Sequence, residues 1–207
     1  MDHLEQLLST RHTYKTFLPK ALEDEKIERI LKSITDVPSC NNRYNYKVKV
    51  LKNSLEERKQ KIGLFDYVCT MSKNPVKYDD TSENLVTRSP KSYDEAMRWL
   101  ELKNLDQHIN GQVLAPLVLV YYVADDDPVQ LDILDMGLSC WNNIITAQML
   151  GIQSGFCGCF DKAFMKDFLE LEGSPVVAIG FGYANDIIDN DQKHPDNPRP
   201  KYTDLIV

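Results

Sequence analysis

Residues 131–150 read LDILDMGLSCWNNIITAQML, and residues 151–160 continue GIQSGFCGCF. Leu134, Leu138, Trp141, Ile144, Ile145 and Met149 put apolar side chains on nearly every side of a helix drawn over 131–150. A helix that is apolar all round is buried, so this one belongs either at the centre of the molecule or in an interface between two copies. Gly151 offers the residue favoured where a helix stops. Gly151, Gly155 and Gly158 then fall within eight residues, among apolar neighbours. Lacking a Cβ, glycine lets a flat ligand lie close to the backbone. The main-chain N–H groups of Gly158 and Cys159 could then face a ring nitrogen. A helix stop followed by a bulged strand would use the same glycines.

Downstream, 176–181 is a β-branched strand, and the tail from 186 is polar and proline-rich yet ends in Leu205-Ile206-Val207. Such a tail reads as an arm that docks. Upstream, 113–123 is a strongly apolar strand whose early part Pro116 makes irregular or places at an edge. Residues 93–105 read as helix and 74–92 as a polar loop. Ser54 and Glu57 form a capping box that opens a helix running towards Cys69. Residues 46–51 alternate as a strand. Ile27, Ile30, Leu31 and Ile34 mark a helix that stops near Pro38, with Glu23, Asp24 and Glu25 at its N-terminal end. A short helix over 2–8 comes first. The order α-α-β-α-α-β-α-(α)-β-tail predicts an α+β fold, with a mixed sheet and more helix than strand.

The 207 residues suit a single domain over 1–207, and 43% hydrophobic with 27% charged residues is an ordinary globular balance. A net charge of −7 without a basic cluster argues against nucleic acid or an anionic membrane as partner. No apolar run reaches the length of a membrane span, and the N-terminus lacks the pattern of a signal peptide. The cysteines at 40, 69, 140, 157 and 159 form no disulfide framework. The C-x-C at 157–159 has no second ligand pair for zinc. A reduced, cytoplasmic setting fits.

Arg11-His12-Thr13-Tyr14-Lys15 packs two permanent cations, an imidazole and a hydroxyl between two helices. Such a set suits a phosphate and a polyol, although a solvated loop would carry it equally. Val37-Pro38-Ser39-Cys40-Asn41-Asn42 is composed of turn formers. Pro198-Arg199-Pro200-Lys201 holds two cations between prolines, either to complete an anion site or as exposed tail.

The order of these segments resembles the FMN-dependent nitroreductase family. Arg-His-Thr-x-Lys-x-Phe at 11–17 is similar to that family's opening motif, and Pro38-Ser39-x-x-Asn42 to its second. The long helix ending Leu-Gly-Ile with its glycine-rich turn looks like the third. The strand at 176–181, Gly182-Tyr183 and the late Arg/Lys pair match the end.

The resemblance implies a nitroreductase-like fold with a central mixed or antiparallel sheet surrounded by helices. The protein would be a homodimer exchanging C-terminal arms at 186–207, with 74–112 a variable excursion. FMN would be the cofactor and NAD(P)H the reductant. Electrons would pass ping-pong to a small-molecule acceptor such as a nitroaromatic or quinone. A flavin-binding protein without turnover, or a branch devoted to dehalogenation, flavin fragmentation or dehydrogenation, are the alternatives.

The implied roles follow the motifs. Arg11, Arg199 and Lys201 would hold the phosphate, and His12 and Thr13 phosphate and ribityl oxygens. Lys15, Thr70 and Lys73 would meet the pyrimidine edge. Pro38, Ser39 and Asn42 would reach the flavin of the other subunit. The turn Cys157-Gly158-Cys159 would line the ring, with the Gly158 and Cys159 backbone at N5. One departure stands out: many relatives follow the second motif with Gln-Pro-Trp, whereas this chain has Tyr44-Asn45-Tyr46.

Overall fold

A computed structural model of the chain describes residues 3–71, 92–101, 111–124, 129–184 and 202–206. Its sheet has four strands: β1 Lys47–Leu51, β2 Leu117–Val123, β3 Gln153–Cys157 and β4 Ser174–Gly182. Their spatial order is β1-β2-β4-β3, and every adjacent pair is antiparallel. The expected mixed sheet is therefore corrected to an antiparallel one. The added strand, β3, is the glycine-bearing run after the long helix. The β2–β4 register slips between Tyr121 and Tyr122, next to Pro175, which has no N–H to give to the ladder.

Among the described residues six helices accompany this sheet: α1 His3–Thr10, α2 Asp24–Lys32, α3 Leu55–Met71, α4 Tyr93–Glu101, α5 Gln130–Met149 and α6 Lys162–Phe168. β2 explains why both faces need cover. Leu117, Leu119, Tyr121 and Val123 pack with Ile27 and Ile30 of α2 and with Met136, Cys140, Ile144 and Ala147 of α5. Val118 and Val120, pointing the other way, pack with Leu64 and Phe65 of α3, Tyr93 and Met97 of α4, and Met165 of α6. A strand buried on both faces reads as an unbroken apolar run.

Local chemistry sets the boundaries. Ser54 and Glu57 form the expected box: the Ser54 N–H donates to Glu57 Oε2 at 2.8 Å and the Glu57 N–H to Ser54 Oγ at 3.3 Å. After α5, Gly151 takes φ 72°, the Gly151 N–H donates to Gln148 O, and the Ile152 N–H to Ala147 O. That is a Schellman closure. α2 stops at Lys32, short of Ile34, where side chains rather than a further turn of helix donate to the carbonyls: Asn142 to Ser33 O, and the Tyr46 and Ser139 hydroxyls to Ile34 O.

The expected strand start at 113 is replaced by a 3-10 turn over Gly111–Leu114. The reason is again side-chain competition. The buried Lys61 Nζ donates to Ala115 O at 2.6 Å and Pro116 O at 3.0 Å, and the Tyr93 hydroxyl to Leu114 O at 2.6 Å. The polar loop at 74–91 and residues 102–110 lie outside the described residues. Of the tail, a 3-10 turn at Tyr202–Leu205 is described, and Leu205 and Ile206 are exposed on their own chain. No helix among the described residues is long and apolar enough to cross a membrane.

Candidate functional site

The first segment is anchored through its backbone. The Tyr14 N–H donates to Ser154 O of β3 at 3.0 Å, Phe17 bridges to Ala184, and the Leu18 N–H donates to Tyr183 O at 2.7 Å. Residues 14–18 therefore follow the ends of β3 and β4. The approach demands glycine: a Cβ on Gly155 would lie 1.7 Å from Tyr14 O. His12 and Thr13 are exposed, while Arg11 and Lys15 are half-buried. The Arg11 guanidinium stands 5.7 Å from the Trp141 ring centre, and the His12 ring meets Tyr14 edge-on at 6.4 Å.

Beyond β3 the turn 157–159 shares this neighbourhood. Burial pushes the Cys157 thiol up to about 11, and the Cys159 N–H and the Lys15 charge both act on it in the opposite sense. Among the described residues, a Cβ on Gly158 would meet nothing within 4 Å, so the space beside that residue is open.

Gln112, from the stretch that no motif covered, completes the wall. It is buried, its Nε2 donates to Phe156 O at 2.9 Å, and its Oε1 has no partner among the described residues. Two half-buried cations, exposed hydroxyl and imidazole groups and an open glycine turn suit a flat ligand with an anionic tail.

The second segment is anchored differently. Asn41, Asn42 and Tyr44 adopt φ of 52°, 58° and 45°. Asparagine tolerates that region; for tyrosine it costs on the order of 1–3 kcal/mol. Side chains hold the loop there. The Cys40 N–H donates to Asp135 Oδ2 at 2.8 Å, the Tyr44 N–H to Ser39 Oγ at 3.0 Å, and Asn45 Nδ2 to Asp132 Oδ2 at 3.0 Å. The Tyr44 and Tyr46 hydroxyls turn inward, to Val37 O at 2.7 Å and Ile34 O at 3.0 Å. Neither ring therefore stands as an outward wall where relatives carry Gln-Pro-Trp. Pro38 and Asn42 are exposed and Ser39 half-buried.

α5 connects the two segments. Asp132 and Asp135 near its start grip the second, and Trp141 further along flanks Arg11. The contacts described seat Tyr14 on Ser154 of β3, set Arg11 beside Trp141 and bring Lys15 within electrostatic reach of Cys157. They place Pro38, Ser39 and Asn42 in a separate group at the other half of α5. Thr70 lies in the last turn of α3, where only the backbone is described; Lys73, Arg199 and Lys201 lie outside the described residues.

The long helix, expected at the centre of the molecule or in an interface between two copies, packs one face inward and leaves another exposed on this chain. Its face towards its own chain carries Asp132, Asp135, Ser139 and Asn143, all buried, while Leu131, Leu134, Leu138, Trp141 and Met149 are exposed. The inward polar groups receive or supply specific bonds. Asn143 Nδ2 donates to Ile30 O at 2.9 Å and the Ser139 hydroxyl to Ile34 O at 2.7 Å.

Comparison with known proteins agrees with this architecture. The Nitroreductase family model matches residues 8–183. The chain is similar to the FMN-dependent nitroreductase NfnB from Mycobacterium smegmatis, solved in complex with NADPH, at 15% identity and a TM-score of 0.69, covering 99% of this chain and 96% of that one. A nitroreductase with bound FMN from Desulfitobacterium hafniense DCB-2 is 19% identical with a TM-score of 0.63, covering 100% and 98%. A nitroreductase family protein from Clostridium novyi NT is 17% identical with a TM-score of 0.59, covering 92% and 89%. At these identities the likeness is one of fold. No curated protein sequence matches the chain.

Proposed function

The chain belongs to the nitroreductase family, and on that premise we propose that it is an FMN-dependent oxidoreductase that draws electrons from NAD(P)H and works as a cytoplasmic homodimer. The observation that carries the reading is the bond from the Tyr14 N–H to Ser154 O. It ties the cation-bearing segment 11–15 to the strand that leads into the turn at Gly158, which supports this reading. Bound there, FMN would supply two-electron chemistry, accepting hydride and passing electrons to a nitroaromatic, quinone or similar acceptor.

The chain's own residues divide the remaining work. Arg11, with Arg199 and Lys201, neutralises the phosphate; His12 and Thr13 bond phosphate and ribityl oxygens. Lys15, with Thr70 and Lys73, faces the pyrimidine edge and stabilises negative charge that appears there on reduction. The backbone N–H groups of Gly158 and Cys159 would face the ring nitrogen. No side-chain nucleophile is needed. A cation set for one phosphate, without a Gly-x-Gly-x-x-Gly loop, favours FMN over FAD.

The dimer accounts for the exposed apolar stripe on α5 and for Leu205 and Ile206. Across it, Pro38, Ser39 and Asn42 of one subunit reach the flavin of the other, and the C-terminal arms are exchanged. Heat-released cofactor should co-migrate with FMN on chromatography, and the yellow protein should oxidise NAD(P)H steadily once an acceptor is added. Release of FAD, or no flavin after reconstitution, overturns the cofactor assignment. Flavin without turnover overturns the enzyme. Leu138→Glu should yield monomers that lose FMN in analytical ultracentrifugation.

A further inference from the structure

We propose that Asp135 is the positioning residue of the flavin-reaching loop at 38–45, with Asp132 as its second anchor; the inference rests on the function proposed above. Both carboxylates are buried on the inward face of α5, each only 6% exposed. Neither takes part in an ion pair among the described residues. A buried carboxylate without a cation is a poor choice for stability, since an apolar side chain of similar size would avoid the loss of hydration. What the acids do instead is local and directional. Asp135 takes the Cys40 N–H and Asp132 the Asn45 amide, one at each end of the left-handed run through Asn41, Asn42 and Tyr44.

Between these anchors the backbone closes on itself through the Asn42 N–H to Ser39 O and the Arg43 N–H to Cys40 O, both at 3.1 Å, but these local bonds do not tie it to α5. Ser39 Oγ receives the Tyr44 N–H across the turn. That bond uses a lone pair of Ser39 and leaves its hydroxyl hydrogen to be donated outward. With Cys40 fixed by Asp135, Ser39 and Asn42 are displayed as donors from a loop that enters the site already shaped. Without that bond the Cys40 N–H loses its acceptor and the left-handed run can relax to ordinary φ. The ordering must then be supplied when the ligand binds, which weakens affinity without removing any ligand contact.

The test uses the full-length dimer with FMN as the probe. Asp135→Leu should weaken FMN about 10- to 100-fold, the range expected for a lost charge-assisted bond, and should speed deuterium exchange at the Cys40 amide. Asp135→Asn keeps an acceptor oxygen and should restore affinity to within about threefold, a rescue that a purely packing role would not produce. Ile144→Val, on the same helix and away from the loop, serves as a destabilised control and should bind FMN normally. FMN affinity indifferent to Asp135→Leu, with Cys40 exchange accelerated, overturns the inference alone. So does a loss matched by Ile144→Val. An unaltered protein that takes up no FMN overturns the proposed function and the inference with it.

Discussion

The two recognition segments are built on opposite principles. Residues 14–18 are held by main-chain bonds to Ser154, Tyr183 and Ala184, as an extra strand would be. Residues 38–45 are held by side chains, through Asp132, Asp135, Ser39 and Tyr44, in a backbone shape that disfavours most residues. A main-chain anchor leaves side-chain identity free, so Arg11, His12, Thr13 and Lys15 answer to the ligand. A side-chain anchor ties identity to shape, so changes there should be felt first by the loop and only then by the ligand.

The harshest way to break the first anchor is Gly155→Ala. With Tyr14 O at 1.7 Å from the new methyl, backbone must move, and a loss of about 3 kcal/mol is expected in urea unfolding. An unchanged midpoint would mean that the 11–15 segment is not seated on β3. Arg11→Ala spares the anchor: FMN binding should fall by about 1.5–3 kcal/mol, with the melting temperature nearly unmoved. Lys15→Ala should instead lower the flavin midpoint potential, because the charge it faces appears on reduction. If Arg11→Ala moves the potential and Lys15→Ala does not, the two roles are exchanged.

A subtler probe addresses the support under the first segment, where Lys61 holds the turn that carries Gln112. Burial pushes the Lys61 ammonium from the ordinary 10.5 down to about 7, with Glu57 pulling it back up. Its three acceptors, Asn53 Oδ1, Ala115 O and Pro116 O, also favour the charged form. Below that window both folded and unfolded chains carry the proton; within it only the unfolded chain does. Stability should therefore rise as pH climbs from about 7 to 10.5, by at most about 1.4 kcal/mol per unit. Lys61→Met should flatten the slope in urea titrations. A slope confined to the upper end would mean that the acceptors outweigh burial. The smallest effect belongs to the second segment: Tyr44→Phe removes the bond to Val37 O and should cost about 1 kcal/mol. A null result would place the loop's hold in Asp132, Asp135 and Ser39 without Tyr44.

What the sequence disclosed follows the range of each interaction. The box at Ser54 and Glu57 and the stop at Gly151 depend on residues a few positions apart, and both were readable. The expectation that 11–15 forms an anion set rests on the same short range, five consecutive residues. Gln112, Asp135 and Asp132 were not readable: their partners lie 44, 95 and 87 positions away. α5 was legible only in part. Its apolar Met136, Cys140, Ile144 and Ala147 do face inward, but beside them lie the buried Asp132, Asp135, Ser139 and Asn143. Their attraction is to loop carbonyls and amides that no periodicity records. The 3-10 turn at Gly111–Leu114 escaped likewise, because Lys61 and Tyr93 from earlier helices decide it.

The place of β4 has a consequence for the order of events during synthesis. It is the last described strand along the chain, yet it lies between β2 and β3 and supplies their shared neighbour. Until residues 174–182 leave the ribosome, β2 has one open edge and β3 no strand to pair with. At about 5–20 residues per second, that interval spans the making of α5, β3 and α6. During it the nascent chain carries an unpaired apolar edge of the kind that recruits other strands. Completion of the sheet is thereby coupled to translation of the final strand, and a slow codon just before Ser174 would prolong the aggregation-prone stage more than one anywhere earlier.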